Sequence, residues 1–193
     1  MRALHILAIA LLCLAVGCLG GPAGPAGPGT TDPGGNGSAS PTPLPVTFET
    51  PTGECTAVTP TPAGNDEVAS YAYPSPPETW SRNATASYVE SFERAYLHAE
   101  KVDARTTYIE VYVSDVRVTR HGNVSVVRLS SYTNGGYEND DADTGTPIEV
   151  HWDGAEKPVA YLVTDERIVR TEGGYQRTPA LADLGNGRTV ACR

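Results

Sequence analysis

TTYIEVYVSDVRVTR, residues 106–120, alternates apolar and polar side chains at the period of a half-buried strand. Ile109, Val111 and Val113 share one face, whereas Val116 and Val118 fall on the opposite parity. A bulge near Ser114-Asp115 restores them to a common face. Working outward, His121-Gly122-Asn123 reads as a hairpin turn and VSVVRLSSYT as the returning strand. NGGYENDDADTGT reads as a polar loop, and PIEVHW, DGAEKP and VAYLVT as a second hairpin. DER then turns into the strand IVRTE, and the closing GGYQRTPALADLGNGRTVAC reads as loop. On the N-terminal side, TASYVESFERAYLHAEK places Val89, Phe92, Tyr96 and Ala99 on one helical face. Thr85 or Ser87 could cap this helix, Ser87 with Glu90 forming a capping box, so it is expected over 86–101. Before it, AYPSPPETWSRN is a proline-rich surface approach with Trp80 tucked beneath, and VTFETPTGECTAVTP is extended. One helix packed on a four- to five-stranded antiparallel meander is an α+β fold over residues 46–193, with the helix across the Ile109-Val111-Val113 face.

The N-terminus reads differently. Arg2 precedes the apolar run ALHILAIALLCLAV, which has signal-peptide length and is too short to span a bilayer. Ala15-Val16-Gly17-Cys18 follows, with small residues placed for cleavage before a cysteine. Residues 1–17 are therefore expected to be removed as a lipoprotein signal peptide, leaving Cys18 as a lipidated N-terminus. Residues 18–45 are rich in glycine and proline, have almost nothing to bury, and form a disordered tether. As a coil the tether spans ~30 Å between its ends, reaching ~80 Å when extended.

Cysteine parity supports this division. With Cys13 lost in the signal and Cys18 lipidated, Cys55 and Cys192 are the two cysteines of the domain, and export favours a disulfide between them. The chain carries a net charge of −9, with two lysines among its 14 basic residues. Such an acidic surface repels phosphate backbones and argues against nucleic-acid binding. The Ala15–Cys18 lipobox, the low-complexity tether and the acidic, arginine-over-lysine domain containing SYVESFERAY resemble the secreted lipoproteins of halophilic archaea. That resemblance implies an address on the outer face of the cell membrane, through the Cys18 lipid, and implies no activity. The order of one helix before a strand meander is similar to cystatin-like and nuclear-transport-factor-like folds.

The pattern holds no recognisable catalytic motif. His98, His121 and His151 lack any zinc-ligand spacing. ENDDADTG offers Asn139, Asp141 and Asp143, but its glycine and its missing twelfth-position glutamate break the calcium-loop pattern. No Gly-x-Ser-x-Gly, Ser-x-x-Lys or phosphate-cradling glycine loop occurs, and no cofactor or metal is expected. The remaining constellation is a sheet face. Tyr108, Glu110 and Tyr112 on the first strand could be joined by Arg128 and Tyr132 on the second and by Glu149 and His151 on the third. Tyrosines interleaved with carboxylates can stack on and hydrogen-bond a sugar or cationic solute, although such faces also arise from strand propensity alone. Asn36, Asn83 and Asn123 stand in glycosylation sequons. The expected protein is thus a lipid-anchored extracellular lipoprotein with a non-catalytic binding or interaction domain, its partner a cell-surface protein, glycan or small solute. A structural envelope component and an enzyme with a pocket between helix and sheet are the alternatives.

Overall fold

Ser81 starts the helix, five residues ahead of the expected boundary. In the computed structural model, which describes Phe48 and residues 53–140 and 144–193, α1 spans Arg82–Lys101. The Ser81 hydroxyl accepts a hydrogen bond from the Ala84 amide at 3.2 Å, and the Thr85 hydroxyl donates to the Ser81 carbonyl at 2.8 Å. Ser87 therefore lies inside the helix and not at its cap, because an N-cap needs its side chain free to reach the first unpaired amides. The expected face of Val89, Phe92, Tyr96 and Ala99 is buried, and Tyr88, Ala95 and Leu97 widen it.

The strands are β1 (Thr106–His121), β2 (Val124–Asp140), β3 (Pro147–Asp153), β4 (Lys157–Val163), β5 (Arg167–Glu172) and β6 (Arg188–Cys192). They form one antiparallel sheet in the order β1-β2-β4-β5-β6, with β3 also on β2. The bulge in β1 lies where expected. The register shifts between Ser114 and Arg117, and Asp115 takes φ 54°. Beyond it Val116 and Val118 join Val111 and Val113 against the core cluster that contains the helix face. Gly122, at φ 63°, occupies the first position of the two-residue turn that joins β1 to β2.

Three expectations are overturned. First, β2 runs on to Asp140, so Asn134–Asp140 is strand and not loop. The two glycines that read as a turn are instead covered by rings. A Cβ on Gly135 would lie 2.7 Å from the Trp152 ring, and one on Gly136 would lie 2.6 Å from the Tyr108 ring. Aromatic cover of this kind supplies the packing a strand glycine lacks. Second, β3 and β4 form no hairpin with each other. β3 pairs with residues 134–140 of β2 and β4 with residues 125–131, end to end along the same edge. Between them residues 154–156 lie opposite Tyr132 and Thr133, one extra residue that forms a bulge. The Gly154 amide donates to the Thr133 carbonyl at 2.7 Å, so the ladder is barely interrupted. Third, the C-terminal stretch contains a short 3-10 helix, Leu181–Asn186, and the sixth strand.

The sheet is buried on both faces at one end. Val127, Leu129, Val159, Tyr161 and Ile168 meet α1, with Trp80 packed beside them as expected. On the opposite face Val126, Ala160, Leu162 and Val169 are covered by Leu184 and Phe48. The segment after Gly53 is extended but contributes no strand. It lies along β6 through the Val58 amide, which donates to the Thr189 carbonyl at 2.9 Å. Cys55 and Cys192 are bonded, with S–S 2.16 Å and Cα–Cα 5.8 Å. The bond ties the entry segment to the last strand and closes a loop with a sequence separation of 137.

Closing so long a loop removes denatured-state freedom worth up to about 5 kcal/mol in the chain-entropy model. Reduction, or Cys55→Ser with Cys192→Ser, should therefore lower the unfolding free energy by several kcal/mol, seen as a lower urea midpoint. Equal midpoints with and without reductant would show that the bond carries no stability.

Candidate functional site

The alternation of β1, β2 and β3 brings the expected tyrosine face together in large part. Tyr108, Gly136 and His151 lie side by side across the three strands, as do Tyr112 and Tyr132 across two. The glycine between them lets the Tyr108 ring cross over, and its hydroxyl sits 3.0 Å from His151 Nδ1. Tyr112 and Tyr132 stack at 4.6 Å with planes 9° apart, and both are exposed. The Tyr112 hydroxyl donates to Glu110 at 2.7 Å, which raises its pKa. Glu149 stands near His151 Nε2, at 3.9 Å, and accepts from the Thr107 hydroxyl at 3.3 Å. Arg128 does not join the cluster. It sits beyond the β1 bulge, opposite Arg117 and Ala160.

A second arrangement lies on the other side of the sheet, where α1 faces β2, β4 and β5. Glu93 is wholly buried on the helix. Its carboxylate accepts from Arg170 Nε and Nη2, each at 2.8 Å, from the Ser131 hydroxyl at 2.8 Å and from the Tyr161 hydroxyl at 2.5 Å. All the lone-pair directions of the carboxylate are thus taken by protein donors. Burial, then the neighbouring Glu93, push the Tyr161 hydroxyl well above its ordinary value and keep it a donor. Burial works against the charge on Arg170, but its hydrogen bonds to Glu93 outweigh that and raise its pKa. Arg170 also lies 4.4 Å from the Tyr96 ring centre. The chain of charge continues outward. Arg170 Nη1 is 3.3 Å from Glu172, and Lys157 Nζ is 2.5 Å from the same carboxylate. Burial raises the Glu172 pKa, yet the Lys157 hydrogen bond and the Arg170 charge together hold it below the usual carboxylate value.

This ladder of charges forms one wall of a cavity of about 440 Å³ between the end of α1 and the sheet. Leu97, Tyr137 and Trp152 supply its apolar lining, and Arg105 lies over the Tyr137 ring at 5.6 Å. A second cavity, about 390 Å³, opens between α1, β1 and the segment around Tyr71. His98 borders it with Nδ1 unpartnered, and burial lowers its pKa. The size of both falls within the range of small-molecule sites.

The Glu93 network has a sequence signal that alternation and motif patterns leave unread. Glu93 follows Val89 by four residues and precedes Tyr96 by three, so a carboxylate interrupts the apolar stripe of the helix. Arg170 likewise follows the apolar Ile168-Val169 in IVRTE, two residues on from Ile168 and so on the same strand face. A charge so placed calls for a buried partner.

Of the other predicted positions, Asn83 is exposed in the first turn of α1, and Asn123 is exposed in the β1–β2 turn, its amide donating to Asp165 at 3.2 Å. Cys18, Asn36, the signal peptide and residues 18–45 lie outside the described residues, as do Asp141 and Asp143. Among the described residues no group of three or more His, Cys, Asp or Glu side chains could hold a metal ion. Compared with known proteins, the chain matches no family model, no curated protein and no solved structure.

Glu93→Gln removes the charge that compensates buried Arg170 and should cost about 3–5 kcal/mol of stability. Replacing both partners, Glu93→Leu with Arg170→Met, should cost much less than the sum of the single changes. Urea denaturation of the wild type, Glu93→Leu, Arg170→Met and the double variant measures the coupling, and additive losses would mean the pair is not a unit.

Proposed function

We propose that this chain is a lipoprotein held on the outer face of the cell membrane by lipid on Cys18. In this reading residues 1–17 are its signal peptide, 18–45 its tether, and the folded domain binds a small solute without transforming it. The supporting observation is the cavity between α1 and the sheet. It is large enough for a ligand and walled by Trp152 and Tyr137, while the lining carboxylate beside the buried network, Glu172, is held between Lys157 and Arg170. A general base needs a lone pair free for substrate, so the ion-paired Glu172 supports binding over catalysis. The same arrangement of a helix over a bent antiparallel sheet supports a cystatin-like or nuclear-transport-factor-like pattern, and the acidic, lysine-poor composition supports a halophilic source.

A second reading rests on the stacked and exposed Tyr112 and Tyr132, which with Tyr108 and His151 offer a flat polar face to a surface protein or glycan. A structural envelope component would need neither cavity nor face.

Cys18→Ser should move the protein from the membrane fraction into the medium. Retention of the variant in membranes would defeat lipid anchoring. For the cavity, a thermal-shift panel of sugars, amino acids and aromatic acids should contain members that raise the melting temperature of the wild type but not of Trp152→Ala. If no member does so, the cavity is a packing feature and the binding reading fails.

A further inference from the structure

The charges around the α1–sheet cavity are unequal in what they leave open. Four cations line it, Lys101, Arg105, Lys157 and Arg170, in a chain whose net charge is −9. The only two lysines of the sequence are among them. The three carboxylates of the lining each have a protein donor or cation beside them. Glu172 lies between Lys157 at 2.5 Å and Arg170 at 3.3 Å. Asp103 accepts from the Arg105 backbone amide at 2.9 Å and from the Thr106 hydroxyl at 3.1 Å. Glu100 lies 4.0 Å from Lys101. The lining therefore carries one more cation than carboxylate.

Arg105 is different. Its guanidinium rests over the Tyr137 ring, and among the described residues no carboxylate lies within ion-pair distance of it, Asp103 acting on it only from further away. Lys157 has further N–H donors beyond the one given to Glu172. The open charge at the mouth is therefore positive. Next to it stand the flat surfaces of Trp152 and Tyr137, which reward a planar apolar body. A planar guanidinium already stacked on a ring is disposed to receive a carboxylate in two parallel hydrogen bonds.

Building on the binding role assigned above to this cavity, we propose that its ligand is a small organic anion, a carboxylate carried on a flat ring. The ring lies against Trp152 and Tyr137, and the carboxylate meets Arg105. Binding involves no covalent step.

Three probes of nearly equal shape separate the charge class from the pocket itself: naphthoate, naphthamide and naphthylmethylammonium. Each is titrated calorimetrically into the purified full chain in detergent, and into Arg105→Gln and Trp152→Phe. Naphthoate should bind roughly tenfold more tightly than naphthamide, and the ammonium compound weakest. Arg105→Gln, at an exposed position, should abolish the preference for naphthoate over naphthamide. Trp152→Phe should weaken naphthoate and naphthamide alike. Equal binding of the three, tightest binding of the ammonium compound, or a preference that survives Arg105→Gln would overturn the anion assignment and leave the cavity as a binding site. Failure of every probe to bind the wild type would overturn the binding role and this inference with it.

Discussion

The buried pair of Glu93 and Arg170 is the constraint around which the rest of the domain is arranged. A carboxylate with no solvent exposure is tolerable only if every bond that water would have given is replaced. The replacements come from three strands: Ser131 on β2, Tyr161 on β4 and Arg170 on β5. One helix residue therefore fixes the rotation of α1 about its axis and its height over the sheet. A purely apolar contact would accept several neighbouring registers, whereas this one accepts a single register. The cost of desolvating the pair is the counterpart of that specificity. Its outward extension through Glu172 to Lys157 carries the alternation of charge from the core to the rim of the cavity. Core and candidate site thus share one wall.

Local rules were sufficient wherever the determinants are local. The β1 alternation, the bulge at Asp115 and the turn at Gly122 each depend on a few adjacent residues, and all are legible in the chain. The buried stripe of α1 is legible for the same reason. Its start is not, because Arg82, Asn83 and Ala84 resemble the polar approach before them, and only the hydroxyl of Ser81 marks the change.

What escapes the sequence is decided by distant partners. Asn134-Gly135-Gly136 has the composition of a turn, and it is strand because Trp152 and Tyr108 arrive from two other strands to cover it. Asp153 to Lys157 likewise has the composition of a hairpin turn. It is a bulge because the long β2 offers β4 a free edge beyond β3, and pairing there costs no reversal of the chain. β6 forms only because the disulfide and β5 hold the last residues alongside. The tyrosine face is legible in membership except for Arg128, whereas the cavity, composed from six separate elements, is not.

The position of the disulfide has a mechanical meaning. Cys55 lies near the N-terminal end of the folded domain and Cys192 one residue before the last, so the chain between them is a covalent ring. A pull applied to the chain ahead of Cys55 meets the sulfur bridge once the contacts of Phe48 and Gly53 are undone, and is then shared between both ends of the ring. It is delivered to β6, which is held laterally by the whole width of its ladder with β5, in place of peeling the entry segment away residue by residue. If the chain is anchored ahead of this domain as proposed, the point of attachment would then also be its most tear-resistant seam.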